Sequence, residues 1–219
     1  MPWQEERTVV WEAYREILRK GLVAGASGNV SLRLADGSRS DLLAITPSKR
    51  NLPSLTAEDI VVIDFEGNPI EGEHIPSIES MMHIQIYKER PEINAVVHTH
   101  SIYASSLAVA GIPLPPILDE LIPYTGGEVR VAEYGFPSTD DLAAHAVAAL
   151  KDRRAALLRN HGVVCTAQSV NAALALSELV ERAAHIYVLA KLMGNPQILP
   201  EGIIEVEKNI YRMMNSQLH

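Results

Sequence analysis

Ile93-Asn94-Ala95-Val96-Val97-His98-Thr99-His100 is the stretch that decides the reading of this chain. It starts as an almost continuous apolar run, the pattern of a buried strand, and ends in two histidines one residue apart. Side chains on a strand alternate between faces, so His98 and His100 share a face while Thr99 points to the other. A second apolar run, Ala155-Ala156-Leu157-Leu158-Arg159, closes in the same way at Asn160-His161-Gly162, with a glycine to turn the backbone. Three imidazoles with a fourth position left for water or a substrate oxygen is how a catalytic zinc is held, whereas a structural zinc fills all four positions. A lone His-x-His also fits ordinary polar residues at a strand edge, so the surroundings must carry the argument.

Hydrophobic residues make up 47% of the 219 positions and charged residues 21%, which fits a folded chain and excludes a disordered one. A single domain over 1–219 is expected at this length. The formal net charge of −8 gives no basic footprint, which excludes a nucleic-acid partner. An anionic substrate would therefore have to be met by locally aimed donors. Met1-Pro2-Trp3-Gln4-Glu5-Glu6 lacks the basic and apolar regions of a secretory signal, and no apolar stretch is long enough for a membrane span. Cys165 is the only cysteine, so no intrachain disulfide can form and a cytoplasmic, reducing setting is expected. It follows Val163-Val164 in an apolar run and reads as a small buried hydrophobe, not a nucleophile.

The order of elements can be followed outward from the two histidine runs. Val9, Val10, Ala13, Tyr14, Ile17 and Leu18 recur at helical spacing over 5–20, and Gly21 ends the pattern. Gly25 and Gly28 lead into an alternating strand, Asn29 to Leu34. Asp36-Gly37 makes a hairpin turn, and Leu42 to Ile45 returns. Ile60 to Ile63 is another strand, turned at Glu66-Gly67-Asn68. A helix is expected from Ser77 to Glu89, stopping before Pro91, and a short one from Ser101 to Ala110 after the histidine pair. The segment 112–137, rich in proline and glycine, holds a strand at Val129-Arg130-Val131. Helices are expected over 139–150, 170–193 (closed by Gly194-Asn195-Pro196) and 203–214. Early hairpins followed by strand–helix alternation predict an α/β fold. It would have three layers, α/β/α, with a central mixed, largely antiparallel sheet flanked by helices.

Pro76-Ser77-Ile78-Glu79 opens the helix before the first histidine run. Ser77 suits the N-cap, where its hydroxyl would accept from a free backbone N–H. Glu79 lies in the first turn, where a carboxylate compensates the helix dipole or serves as a general base beside a metal. His83 is one turn further on the same face, a packing or orienting residue before it is a ligand.

These residues carry a resemblance. The run from Pro76 through Ser105, with Glu79, His83, Arg90-Pro91 and Ala95 to His100, resembles the class II aldolase/adducin family. So do Ser27-Gly28-Asn29, Ile45-Thr46-Pro47-Ser48, Gly126-Gly127, Asn160-His161-Gly162 and the stretch Glu178 to Tyr187. The likeness covers most of the chain in the right order. It implies a zinc ion, with manganese or cobalt as alternatives, on His98, His100 and His161, and Glu79 as acid/base. It also implies a phosphate pocket near Gly28, Asn29, Ser48, Lys49 and Ser77. The implied activity is reversible cleavage of a ketose 1-phosphate, of the L-fuculose 1-phosphate kind, into dihydroxyacetone phosphate and a short aldehyde through a metal-stabilised enediolate. The same site in the family also serves 4-epimerases and sugar-acid decarboxylases, and adducin-like relatives are interaction modules without catalysis. A homotetramer acting on a small phosphorylated sugar is implied as well.

The chain departs from the family's aldolase pattern in three places. Ile78 replaces a second serine before the acidic residue, Lys49 stands where the pattern has glycine, and Glu120 stands where it has a tyrosine reaching a neighbouring subunit's site. Proton transfer at the aldehyde could therefore pass to Glu120, to Tyr124 or to another group, although Tyr124 also reads as an ordinary loop aromatic. Tyr211 matches a C-terminal tyrosine that covers the site, with helix packing as the alternative.

Overall fold

The structure, a computed structural model, describes residues 3–34, 41–48 and 55–216. Helix α1 (Gln4–Arg19) buries Val10, Ala13, Tyr14 and Ile17, the expected stripe. Strands β1 (Asn29–Leu34), β2 (Leu42–Ile45), β3 (Val61–Asp64) and β4 (Pro69–Glu71) follow as an antiparallel meander. Then come α2 (Ser80–Glu89), β5 (Ala95–Thr99), α3 (Ile102–Ala110) and a single helical turn, α4 (Ile122–Thr125). The chain ends with β6 (Arg130–Ala132), α5 (Asp140–Leu150), β7 (Ala155–Leu158), β8 (Gly162–Ala167), α6 (Val170–Met193) and α7 (Glu201–Ser216).

All eight strands form one sheet in the order β4-β3-β2-β1-β5-β8-β7-β6. Every neighbouring pair is antiparallel except β6–β7, so the sheet is mixed and largely antiparallel as predicted. On one face Leu43, Ile45, Val61, Ile63, Val96, Ala156, Leu158 and Val164 share a buried cluster with residues of α2 and α5. On the other, Leu42, Ala44, Val62, Ala95 and Val97 pack with α1. Further along that face Ala155, Leu157, Val163 and Cys165 pack with α3 and α6. Both faces are covered, which is why Ala95-Val96-Val97 is continuously apolar instead of alternating. Cys165 is fully buried and burial pushes its thiol up to about 12, which leaves it inert as a nucleophile.

The structure corrects the start of α2. Ser77 Oγ accepts from the Glu79 N–H at 3.3 Å, as expected of a cap, but the helix starts later than expected. Pro76 is bridged to Pro47, the Ser77 N–H donates to the Thr46 carbonyl at 3.1 Å, and the helix begins only at Ser80 with Glu79 in the cap position. Extended pairing of 75–77 with 46–48 holds Ser77 out of the helix, and Ile78 and Glu79 form the turn that leads into it. Neither β4 nor α4 was expected, because three or four residues show no period. The last helix runs two residues further at each end than its apolar pattern suggested. The Asp36-Gly37 turn lies outside the described residues, although the strands on either side of it pair antiparallel. Among the described residues no helix is long and apolar enough to cross a membrane.

Helix α2 presents Glu79 and His83 to the sheet, and its seat is apolar. Ile84, with no exposed surface, anchors it, whereas Ile78 is half exposed. Replacing Ile84 with alanine should lower the unfolding free energy by about 2–5 kcal/mol. Ile78→Ala should stay within about 0.5 kcal/mol. Urea unfolding of the two variants checks the contrast, and equal losses would show that α2 is held by something other than that contact.

Candidate active site

His98 and His100 come from the end of β5, and His161 from the turn between β7 and β8. The antiparallel pairing of β5 with β8 sets Thr99 opposite Val163, so the two strand ends meet side by side. The β7–β8 turn is tight. Asn160 adopts φ 56°, a left-handed conformation that asparagine tolerates better than most residues. Gly162 admits no side chain, since a Cβ there would meet the Thr99 carbonyl and lie 2.9 Å from His100 Cδ2 and 3.2 Å from His98 Cε1.

The three rings form a propeller. Their centroids are 4.8, 4.8 and 4.9 Å apart, and the interplanar angles are 70°, 69° and 68°. One ligand atom from each lies within 4.8 Å of the others. His98 Nδ1–H donates to the Val163 carbonyl at 3.0 Å, which leaves its Nε2 with the lone pair, 2.9 Å from His100 Nε2. Burial lowers His98 to about 3 and shifts His100 in the same direction, so both rings stay neutral at ordinary pH. Three converging imidazoles, with the tautomer of His98 fixed by the Val163 carbonyl, are a donor set that a divalent transition metal takes. The three histidines therefore fit the metal that their spacing suggested.

Glu79 reaches this centre from the start of α2. Its Oε1 is 3.0 Å from His161 Nε2 and its Oε2 is 3.4 Å from His98 Nε2. Burial disfavours its charge, but hydrogen bonds from the His161 imidazole and the Asn29 amide oppose that, and the carboxyl is held below the ordinary carboxylate range. A buried, ionised carboxylate beside a Lewis-acid site is placed to move a proton on whatever the metal grips.

The segments named for phosphate binding also meet. Val30 N–H donates to Thr46 Oγ1 at 3.2 Å, Ser77 N–H to the Thr46 carbonyl at 3.1 Å and Ser48 N–H to the Ile75 carbonyl at 2.8 Å, so 28–30, 46–48 and 75–77 lie side by side. Gly28, at φ 73°, is required where it stands, because a Cβ there would lie 2.8 Å from the His98 carbonyl. Asn29 is committed on both sides of its amide, to Glu79 at 2.7 Å and to His83 at 2.5 Å. Ser77 Oγ accepts from Glu79 N–H at 3.3 Å. Lys49 lies outside the described residues.

Glu120 and Tyr211 pair with other groups than the chain's own imidazoles. The Glu120 carboxylate pairs with Arg182 of α6 at 2.8 Å, and Tyr124 is half exposed nearby in α4. Tyr211 lays its ring on Gly126, where a Cβ would come within 2.9 Å, and its hydroxyl donates to the Asp152 carbonyl at 2.8 Å. Asp152 precedes β7 whereas His161 follows it, so Tyr211 sits at the opposite end of that strand. Sequence reasoning missed Ser31 and Tyr87 beneath the site. It also missed Glu181, whose carboxylate accepts from the Tyr103 and Ala104 N–H groups at 2.9 and 2.8 Å and so caps α3 immediately after His100.

Comparison with known proteins places the chain. The class II aldolase and adducin N-terminal domain model matches residues 8–188. The chain belongs to this family. It is 38% identical over 202 residues to 5-deoxy-D-ribulose 1-phosphate aldolase of Bacillus thuringiensis serovar kurstaki, covering 92% of this chain and 93% of that one. It is 37% identical over 194 residues to 5-methylthioribulose-1-phosphate/5-deoxyribulose-1-phosphate aldolase of Rhodospirillum rubrum, covering 89% and 85%. A solved structure of an L-fuculose 1-phosphate aldolase superposes with a TM-score of 0.88 at 38% identity, over 95% of this chain and 96% of that one. The chain is thus a metal-dependent class II aldolase, as its histidines and Glu79 led one to expect.

Gly162 supplies a test of the centre. In Gly162→Ala the new methyl group must push His100 or β5 aside, so bound divalent metal per chain, read by elemental analysis after desalting, should fall well below that of the wild type. Full metal content in this variant would mean that the three rings do not need their close approach.

Proposed function

We propose that this enzyme cleaves a 5-deoxypentulose 1-phosphate into dihydroxyacetone phosphate and acetaldehyde, with zinc on His98, His100 and His161. The observation that carries the reaction class is the Glu79 carboxylate, 3.0 Å from His161 Nε2 and 3.4 Å from His98 Nε2. The aldehyde is inferred from the names of the two relatives described above and from Glu120, which stands where the family's fuculose-type pattern has tyrosine. When bound, the cation supplies a Lewis acid that lowers the cost of the negative charge which C–C cleavage leaves on the donor fragment. In the synthetic direction the Glu79 carboxylate removes a proton from that carbon, and in cleavage, after taking a proton from water, it returns one as the bond between C3 and C4 breaks. The hydroxyl on C4 loses its proton as it becomes the aldehyde, and Glu120 from a neighbouring protomer is assigned that proton. The phosphate is held by backbone and hydroxyl donors along Gly28-Asn29, Ser48 and Ser77, with Lys49 supplying charge in place of the hydroxyl lost at Ile78.

Incubating the purified protein with zinc, dihydroxyacetone phosphate and either acetaldehyde or lactaldehyde tests the reading. Carbon–carbon bond formation should favour acetaldehyde, and Glu79→Gln should slow it about 10²–10⁴-fold. Absence of bond formation with every aldehyde offered would refute the activity, while a preference for lactaldehyde would move the enzyme to the fuculose-type substrate.

The proposed assembly is a closed homotetramer with its sites shared between protomers. What supports it is that Glu120 pairs with Arg182 and Tyr211 with the Asp152 carbonyl, neither with the imidazoles of its own chain. Mixing inactive His98→Ala chains with inactive Glu120→Ala chains should restore part of the activity, since some sites then combine two intact halves. A monomer of full specific activity would end this assignment.

A further inference from the structure

A file of polar side chains runs from Glu79 into the core between β1 and α2. Asn29 Nδ2 donates to Glu79 Oε2 at 2.7 Å, and Asn29 Oδ1 lies 2.5 Å from His83 Nε2. His83 Nδ1 lies 2.7 Å from Ser31 Oγ, which lies 2.7 Å from the Tyr87 hydroxyl. Asn29 is 3% exposed, Tyr87 1%, and His83 and Ser31 not at all, so the file is closed to water beyond Glu79.

The direction of every bond follows from one end. The Asn29 amide nitrogen faces Glu79 Oε2 and its oxygen faces His83 Nε2, and an amide oxygen only accepts. His83 Nε2 then has to carry the hydrogen. Burial holds His83 neutral, lowering it to about 4, so Nδ1 is the acceptor. Ser31 donates to it, and the Tyr87 hydroxyl, whose one hydrogen faces both Ser31 Oγ at 2.7 Å and the Asn94 carbonyl at 3.3 Å, ends the file. Turning the Asn29 amide over would set its oxygen against the Glu79 carboxylate and its N–H against the His83 N–H. With the ring in place only one orientation satisfies both neighbours.

We propose that His83 is a positioning residue for Glu79: its Nε2–H locks the Asn29 amide so that an N–H aims at Oε2, which leaves Oε1 turned to His161. The proposal rests on the reading of Glu79 as the acid/base group. The bland competitor is that the file only fastens α2 to the sheet.

Two substitutions separate these roles. In His83→Gln the side-chain amide reaches to where Nε2 lay and can still donate to Asn29. In His83→Asn it reaches only to where Nδ1 lay and serves Ser31 alone. Both should lower Tm by similar amounts and keep the wild-type metal content, because the three ligands are untouched. His83→Gln should retain most of kcat, whereas His83→Asn should lose about 10²-fold in kcat with KM little changed, as loss of a correctly aimed acid/base group does. Equal kcat in the two variants, whether high or low, would reduce the file to a fastening.

A measurement on the wild-type protein stands apart from turnover and from the folding of either variant. Nitrogen-15 shifts of the His83 ring should show Nε2 protonated and Nδ1 bare, with or without metal. A ring protonated at Nδ1 would overturn the proposal. If Glu79→Gln keeps full activity, the acid/base reading fails by itself, while the His83 tautomer still reports whether the file is oriented as argued.

Discussion

The close approach of β5 to the β7–β8 turn is the constraint on which the rest of the molecule depends. Imidazole nitrogens can converge on a small volume only if the backbones that bear them nearly touch, and here the space for one Cβ at position 162 is already taken by Thr99 and His100. Antiparallel pairing of β5 with β8 supplies the approach, and burial of the apolar residues on both faces holds it rigid. Desolvation then does chemical work. It keeps His98 neutral, and so able to ligate, while the contacts around Glu79 keep that carboxyl ionised against the same burial.

Much of this was legible before any coordinates. The paired histidines and the Asn160-His161-Gly162 turn announced themselves because strand alternation is strict, and the largely antiparallel sheet followed from hairpins that need only local signals. What stayed hidden was hidden for physical reasons. The helix was expected to start at Ser77 because cap preference is local, but pairing between 46–48 and 75–77 spans nearly thirty residues and leaves no local mark. β4 and α4 are shorter than any period that could reveal them.

Strand β1 teaches a separate lesson. Asn29, Ser31 and Arg33 alternate with Val30, Leu32 and Leu34, which on its own describes a strand with one face in water. In the folded molecule that polar face lies under α2, with Ser31 set opposite Ile45 on one side and Val96 on the other. Polar residues that alternate in register with a histidine on the next strand were the available signal, since Asn29 pairs directly with His98. Buried polarity of this kind is tolerated only where each atom finds a partner, and here each of the Asn29, Ser31 and His83 side chains does.

The seam between β5 and β8 also sets a timetable for synthesis. His98 and His100 leave the ribosome together, but His161 follows some sixty residues later, and Glu181, which fixes the start of α3 behind His100, later still. A nascent chain therefore carries two of the three imidazoles through some sixty residues of synthesis before the strand that gathers the third is made. Small zinc modules are folded by their ion. In this protein the three imidazoles are brought together by long-range strand pairing and an apolar core on both faces of the sheet.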